Sequence, residues 1–304
     1  MQDVRGKTAF ITGGASGIGL AMARAFGRAG MNVMLADIEP EPLAAAVAEL
    51  EAMQVTAAGV PCDVSERASV VQAAAETVAR FGKVHVLCNN AGVGAGGLVG
   101  EVKPADWDWI LSVNLMGVVY GVDAFLPHLR AHGEGGAIIN TASMAGMISA
   151  PGMEPYSATK FAVVAMSEGW AAQLAPEGIS VSVLCPGFVK TRIDQSRRTR
   201  QTRFGGPEAS GESVTGASFV ASGIDPERVG ARVLEALLAG ERYIFTHPDM
   251  RGLVETRFAA ILQGFDAAAA SPALAGMEYT TPRGSWPKAD RAFARALKVN
   301  GSQA

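Results

Sequence analysis

The sequence predicts an α/β protein with a doubly wound, parallel seven-stranded sheet and a C-terminal helical extension. Two observations support this fold class: short β-rich apolar runs alternate with helical segments, and a glycine-rich turn directly follows the first run. A chain of 304 residues, 49% of them hydrophobic, can bury one large core. We therefore expect a single domain over residues 1–265 and an extension over residues 266–304.

Composition narrows the classes of function and location. The 26 basic and 29 acidic residues leave a net charge of −3, which gives no indication of nucleic-acid binding. The three cysteines lie in or beside apolar runs, as buried thiols of a reducing compartment do. The four histidines lack metal-ligand spacing, so no metal site is expected. Without a signal-peptide pattern or an apolar run of about 18 residues, we expect a cytoplasmic protein that does not span a membrane.

The first elements are a strand, a glycine turn and a helix. Strand 1 is expected over Lys7–Thr12, and helical composition begins at Leu20. Between them Gly13 permits a tight turn, while Gly17 and Gly19 let the backbone approach a diphosphate. The helix N-terminus then offers N–H groups and a positive dipole end to phosphate. The alternative is an ordinary strand-to-helix turn that favours glycine.

An acidic residue follows strand 2, which is expected over Asn32–Ala36. Asp37 lies about 18 residues beyond Gly19, close to the spacing of a carboxylate that binds the adenosine ribose. Neither Gly14 nor Ile38 is basic, so neither would attract a ribose 2′-phosphate. We therefore expect NAD(H) rather than NADP(H). A helix cap or a surface position is the alternative for Asp37.

The strand–helix alternation continues through the middle of the chain. Helices are expected over residues 40–53 and 67–81, and strands over residues 55–61 and 84–88. Asp63 and Val64 follow strand 3, where an adenine ring could lie. Small and polar residues, Asn89–Gly92, follow strand 4 and suit a cofactor that crosses the edge of the sheet.

Two polar residues stand out in the next elements. A single long helix is expected over residues 103–131, and Asn114 in its apolar middle is locally unfavourable, which often marks function. Strand 5 is expected over residues 137–141. Ser143 follows its C-terminal end, where open parallel sheets place their sites.

A tyrosine and a lysine share one face of the next helix. Pro155 suits the first position of that helix, and Tyr156 and Lys160 are four residues apart. A nearby cation favours the phenolate, and lowering the pKa of a tyrosine by about 2–3 units needs roughly 3–4 kcal/mol. The pair can therefore act as a general base, although this spacing alone also occurs by chance.

The remaining elements complete the sheet and the extension. Strand 6 and strand 7 are expected over residues 180–185 and 242–246, and helices over residues 225–239 and 249–263. The polar loop over residues 193–223 overlaps a strongly basic stretch, residues 190–203. We interpret this region as a solvated lid; the alternative is that one or two arginines meet an anionic substrate. Beyond a linker at residues 267–272, a last helix is expected from Ser285. We expect the extension to pack on its own or a neighbouring subunit; the alternative is a frayed surface tail.

Taken together, these residues resemble the single-domain branch of the short-chain dehydrogenase/reductase family, over roughly residues 5–195. The resemblance implies a Rossmann fold, a homodimer or homotetramer, and a reaction between NAD(H) and a small-molecule alcohol or ketone. Tyr156 would be the general acid/base, Ser143 would orient the substrate oxygen, and Lys160 would lower the pKa of Tyr156 and bind the nicotinamide ribose. Asn114 would hold a water in a proton relay. The implied cofactor-binding residues are Gly13, Ser16, Gly17, Ile18, Gly19, Asp37, Ile38, Asp63, Val64, Asn90, Ala91, Gly92, Tyr156, Lys160, Pro186, Gly187, Val189 and Thr191.

The substrate is indicated less directly. Three candidate pocket segments are mostly apolar, namely residues 93–98, residues 144–153 and Phe188, which favours a hydrophobic or aryl secondary alcohol unless the methionines only fill the core. Residues 243–261 are also similar to bacterial Cα-dehydrogenases that oxidise the benzylic alcohol of lignin-type β-aryl ethers. The alternatives are a broad carbonyl reductase, a 3-oxoacyl or steroid-type dehydrogenase, and a non-catalytic dinucleotide sensor. The presence of Ser143, Tyr156 and Lys160 argues against the sensor.

Overall fold

A computed structural model describes residues 1, 3–208 and 217–277 of the chain. Its internal contacts divide the chain into two units, Met1–Thr246 and a second unit that begins at His247. This division precedes the boundary expected after residue 265. The helix expected from Ser285 lies outside the described residues, as does most of the extension.

Seven parallel strands form one sheet in the order β3-β2-β1-β4-β5-β6-β7, which confirms the predicted fold class. Strand order reverses between β1 and β4, so their carboxyl ends flank the crevice in which such sheets bind ligands. The strands are β1 (Thr8–Thr12), β2 (Asn32–Asp37), β3 (Ala57–Pro61), β4 (Val86–Asn89), β5 (Gly136–Thr141), β6 (Ile179–Cys185) and β7 (Tyr243–Phe245).

Helices cover both faces of the sheet and create two apolar cores. One core joins the sheet to α1, α2 and α8 through side chains such as Phe26, Leu50 and Val233. The other core centres on Phe10 and Trp109 and joins the sheet to α3, α4, α5 and α6. The helices of the first unit are α1 (Gly17–Arg28), α2 (Pro40–Ala52), α3 (Arg67–Phe81), α4 (Pro104–Ile110), α5 (Gly117–Ala131), α6 (Glu154–Leu174), α7 (Ala217–Ala221) and α8 (Pro226–Ala239).

The long helix expected over residues 103–131 is continuous over Pro104–Ala131, but it is not α-helical throughout. A π-helical turn, Leu111–Met116, separates α4 from α5 and contains Asn114. By length and composition alone, Pro104–Ala131 is the one stretch of the described chain that could cross a membrane. Half of its most apolar window is buried, and Trp109 and Phe125 belong to the core, so it forms part of the globular interior.

The basic stretch and the second unit also contain more regular structure than expected. Short 3₁₀ turns occupy Ile193–Thr199 and Thr202–Phe204 in the loop expected to be irregular. In the second unit, α9 (Arg251–Ala269) continues into the stretch predicted to be a linker and is followed by a 3₁₀ turn at Pro272–Leu274.

Two histidines and a glutamate, His85, His132 and Glu134, meet at the amino ends of β4 and β5. The ring of His85 accepts a hydrogen bond from the Thr8 N–H at Nδ1 (3.0 Å) and faces Glu134 through Nε2 (3.2 Å). The ring of His132 accepts from the Glu134 N–H (3.1 Å) and faces the Val84 carbonyl (2.8 Å). All four ring nitrogens therefore have protein partners, which argues against a metal ligand role for this cluster.

This cluster predicts a pH dependence of stability. Burial, with a contribution from Lys7, lowers the pKa of His85, so the unfolded chain binds the proton at a higher pH than the folded chain. Stability should therefore fall as the pH drops below about 6.5, by at most about 1.4 kcal/mol per pH unit. Urea unfolding of the wild type and His85→Gln between pH 5 and 8 measures this slope, and the variant should show a smaller one. His128→Gln, outside the cluster, is the control and should keep the wild-type slope. If the slope of His85→Gln equals that of the wild type, His85 is not the source of the pH dependence.

Candidate functional site

The turn between β1 and α1 forms a narrow backbone cradle. Gly13 and Gly17 have φ values of +62° and +54°, which side chains rarely tolerate. A Cβ atom on Gly19 would lie 2.1 Å from the carbonyl oxygen of Gly13, so the helix packs against the turn only with glycine there. An open cleft of about 670 Å³ adjoins the turn, and Ser16 and Thr191 are among its lining residues. The turn thus fits a diphosphate at the N-terminus of α1.

Asp37 is held at the carboxyl end of β2 by two backbone donors. The N–H of Ala15 donates to its Oδ2 (3.0 Å) and the N–H of Glu39 donates to its Oδ1 (3.1 Å). Partial burial raises the pKa of this carboxyl, against the effect of both hydrogen bonds. Each oxygen retains a further lone pair for a ribose hydroxyl. The glycine turn and Asp37 therefore lie at the same edge of the sheet, as the binding of a dinucleotide without a 2′-phosphate requires.

Thr12, expected only as the last residue of strand 1, organises the floor of the crevice. The Thr12 hydroxyl accepts hydrogen bonds from the N–H groups of Asn90 (2.9 Å) and Ala91 (3.0 Å). The Asn90 side chain donates to the Thr12 carbonyl (3.0 Å) and accepts from the Thr141 hydroxyl (3.2 Å). These bonds tie together the ends of β1, β4 and β5. Long-range pairs of this kind have no signature in the sequence.

The predicted acid/base residues converge beyond β5 and at the start of α6. The Ser143 hydroxyl hydrogen-bonds the Tyr156 phenol and also approaches the Pro186 carbonyl (3.4 Å). The ammonium of Lys160 lies 5.4 Å from the centroid of the Tyr156 ring and donates to the Thr141 carbonyl (2.9 Å). Lys160 is buried, so its charge faces this site rather than solvent.

The electrostatics of this group differ from the expectation. Although Tyr156 is only half-buried by surface area, its surroundings raise the pKa of the phenol to about 12, opposed by the Ser143 hydrogen bond. Burial lowers the pKa of Lys160 to about 8. The lowered phenol pKa predicted from Lys160 therefore requires more positive charge than the protein groups supply.

The side chain of Asn114 is held by contacts within the protein. Its side-chain oxygen accepts from the Val93 N–H (2.8 Å), and its nitrogen donates to the Val93 carbonyl (2.9 Å). The same nitrogen lies 3.4 Å from the Thr159 hydroxyl. The side chain thus anchors the loop after β4 to the π-helical turn. A water held by Asn114 stays a prediction.

The remaining cofactor candidates line the route between the two ends of the crevice. The Pro186 carbonyl accepts from the Met144 N–H (2.8 Å), which fixes the start of the segment after β6. Thr191 packs against Gly17, where a Cβ would lie 3.0 Å from its methyl group. Val189 forms a bridge with Ile224. The further predicted positions in these stretches are Ile18, Ile38, Val64, Gly92 and Gly187, whose contacts with a cofactor stay predictions.

The arginine segment, residues 192–208, is held by acids from other elements rather than solvated throughout. Arg200 is buried, pairs with Asp106 (2.8 Å) and lies 5.4 Å from the Trp109 ring centroid. Asp63, predicted to face adenine, accepts from Gln201 (2.9 Å) and Arg203 (3.1 Å). The other pairs are Arg192 and Arg198 with Glu39, Arg197 with Asp106 and Glu208, Arg200 with Glu208, and Arg203 with Glu66.

Comparisons with known proteins agree with this geometry. A family model described as short chain dehydrogenase matches residues 7–202. A C alpha-dehydrogenase of Sphingobium sp. SYK-6 is 36% identical over 266 residues, 86% of this chain and 87% of that protein. A short chain dehydrogenase/reductase from Burkholderia phymatum, solved in complex with NAD, has a TM-score of 0.82 and 38% identity and covers 87% of this chain and 97% of its own. A putative short-chain dehydrogenase from Novosphingobium aromaticivorans has a TM-score of 0.80 and 35% identity, with 97% and 98% covered.

The cradle predicts a strict requirement at Gly19. Gly19→Ala should abolish dinucleotide binding and lower the melting temperature, because its Cβ would clash with the Gly13 carbonyl. Gly169→Ala is the matched control, since α6 leaves open space there and alanine should stabilise the helix by about 0.5–1 kcal/mol. Calorimetric titration and thermal unfolding measure both variants. Normal binding by Gly19→Ala would show that the turn is not the diphosphate site.

Proposed function

Because the chain belongs to the short-chain dehydrogenase/reductase family, we propose that it interconverts a hydrophobic, aryl secondary alcohol and its ketone with NAD(H). The convergence of Ser143, Tyr156 and Lys160 at the edge that also carries the glycine cradle is the observation that carries this proposal. General acid/base groups and a dinucleotide site then meet at the carboxyl ends of the strands.

The cofactor is NAD. The glycine turn leaves room for a diphosphate, and Asp37 offers acceptors to ribose hydroxyls without a basic residue at position 14 or 38. The Burkholderia phymatum relative, which was solved with NAD, supports the same choice. When bound, NAD accepts or supplies the hydride at nicotinamide C4 and carries a positive charge in its oxidised form.

The residues of the chain move and hold the proton. Tyr156 takes the proton from the substrate hydroxyl during oxidation and returns it to the carbonyl oxygen during reduction, while Ser143 orients that oxygen. Bringing the phenol pKa from about 12 to near 8 takes about 5 kcal/mol of differential stabilisation. Protonated Lys160 and the oxidised cofactor together place two positive charges by the ring, and a low-dielectric site makes both effective.

An aromatic patch supports an aryl substrate. Phe188 follows β6 and stacks on Phe219 of α7, with ring centroids 5.2 Å apart, and both side chains are exposed. Met144 and Met147, in the candidate pocket segment 144–153, are buried. The similarity to a C alpha-dehydrogenase favours a benzylic alcohol of a β-aryl ether as the particular substrate.

We place the enzyme in the cytoplasm as a homodimer or homotetramer. Light scattering can test the oligomeric state.

Replacing the phenol tests the acid/base role. Tyr156→Phe should keep NADH affinity within about threefold and lower kcat by about 10³-fold or more, because the variant lacks the phenolic O–H that transfers the proton. Fluorescence titration and stopped-flow absorbance of NADH give the two values. Tyr120→Phe, on α5, is the matched control and should keep its activity. A near-normal kcat in Tyr156→Phe would falsify the assignment.

A substrate panel separates the functional alternatives. With NAD⁺, kcat/KM should be highest for 1-aryl secondary alcohols and lower for 3-hydroxyacyl and steroid substrates, which lack the stacking ring. Initial rates followed through NADH absorbance, with NAD⁺ and NADP⁺ in parallel, measure both preferences. Equal use of NADP⁺ would oppose the role of Asp37, and absence of turnover on every compound would favour a dinucleotide sensor.

A further inference from the structure

Glu39 stands beside the acid that faces the adenosine ribose. Its N–H donates to Oδ1 of Asp37 (3.1 Å), so the two acids share the turn between β2 and α2. The carboxylate of Glu39 points toward the arginine segment. It accepts a forked pair of bonds from Arg198, at 3.3 Å from Nε and 2.6 Å from Nη2, and Arg192 lies 3.6 Å away.

Two guanidinium groups at this place are unexpected in a site for NAD. Arginine binds phosphate through the same forked geometry that Arg198 uses on Glu39. Without the Glu39 carboxylate, Arg192 and Arg198 would face the single negative charge of Asp37. The two arginines would then form an attractive site for a ribose 2′-phosphate. With Glu39 present, two acids balance two arginines, and the guanidinium of Arg198 is already engaged.

We propose that Glu39 is a second cofactor-specificity residue, which occupies Arg192 and Arg198 and, with Asp37, excludes the 2′-phosphate of NADP. This inference rests on the NAD dependence proposed above. Asp37 repels the phosphate directly, whereas Glu39 also removes the cations that would compensate for that repulsion. The preference for NAD is thus set by the charge balance of four side chains.

Other contacts hold the arginine segment in place independently of Glu39. Arg197 and Arg200 pair with the buried Asp106, and the Gly94 N–H donates to the Ser196 hydroxyl (3.1 Å). Arg203 pairs with Asp63 and Glu66 at the end of β3. The Nη1 of Arg198 also donates to the Gln195 carbonyl (3.1 Å), so loss of the Glu39 carboxylate should free Nε and Nη2 of Arg198 and the nearby Arg192 without releasing the segment.

The test measures binding rather than turnover. Calorimetric titration of Glu39→Gln should show a Kd for NADP⁺ at least about tenfold lower than that of the wild type, with the Kd for NAD⁺ changed by less than about threefold. Adding Arg198→Met to Glu39→Gln should reverse most of the gain. The matched control is Glu66→Gln, which loses an arginine partner of the same segment away from Asp37 and should leave both Kd values unchanged.

The outcomes separate this inference from the proposed function. Wild-type protein that binds NAD⁺, with no gain for NADP⁺ in Glu39→Gln, overturns the role of Glu39 alone. Wild-type protein that binds neither dinucleotide overturns the proposed function. The single variant Arg198→Met gives an independent check, because it should bind NADP⁺ more weakly than the wild type, and tighter binding would oppose the inference. Thermal unfolding establishes that each variant is folded.

Discussion

A series of hydrogen bonds connects the two halves of the site and runs through Thr12, Asn90, Thr141 and Lys160. Thr12 binds the backbone after β4, Asn90 binds Thr12 and Thr141, and the Thr141 carbonyl receives the ammonium of Lys160. Because these groups are partly or wholly buried, breaking one bond would leave polar atoms without partners, which costs about 1–3 kcal/mol each. These hydrogen bonds therefore fix the glycine turn after β1 and the start of α6 relative to each other.

Burial of this part of the site also shifts the pKa values of its titratable groups. Removal from water disfavours charge on both reactive groups, so the pKa of Tyr156 rises to about 12 and that of Lys160 falls to about 8. A charged cofactor entering such a site would act strongly on both groups, because little water screens it. Under the proposed function, binding of the oxidised cofactor would favour the phenolate of Tyr156 and so couple proton transfer to cofactor binding.

Local patterns made the fold predictable and singled out several residues that the structure brings together in the candidate site. The glycine turn, Asp37 at a strand end, and the spacing of Tyr156 and Lys160 each depend on neighbours within one or two elements. Contacts between distant elements were not predictable. Asn114 was singled out as unfavourable in a helix, but nothing in the sequence indicated the π-helical turn or the pairing of Asn114 with Val93, 21 residues earlier in the loop after β4.

The basic stretch shows why net charge along the sequence is a weak guide to exposure. Its arginines look solvated because their partners, Glu39, Asp63 and Asp106, lie far away in sequence, on three different elements. In three dimensions the segment crosses from the acid beside the ribose site to the start of α4, and each guanidinium meets a carboxylate. The apparent excess of positive charge along this stretch of sequence is therefore balanced by carboxylates that the fold brings close to it. Two of the acids that balance it, Glu39 and Asp63, stand where the adenosine end of a dinucleotide is expected, so the charge balance of this segment and the recognition of a cofactor share these two carboxylates.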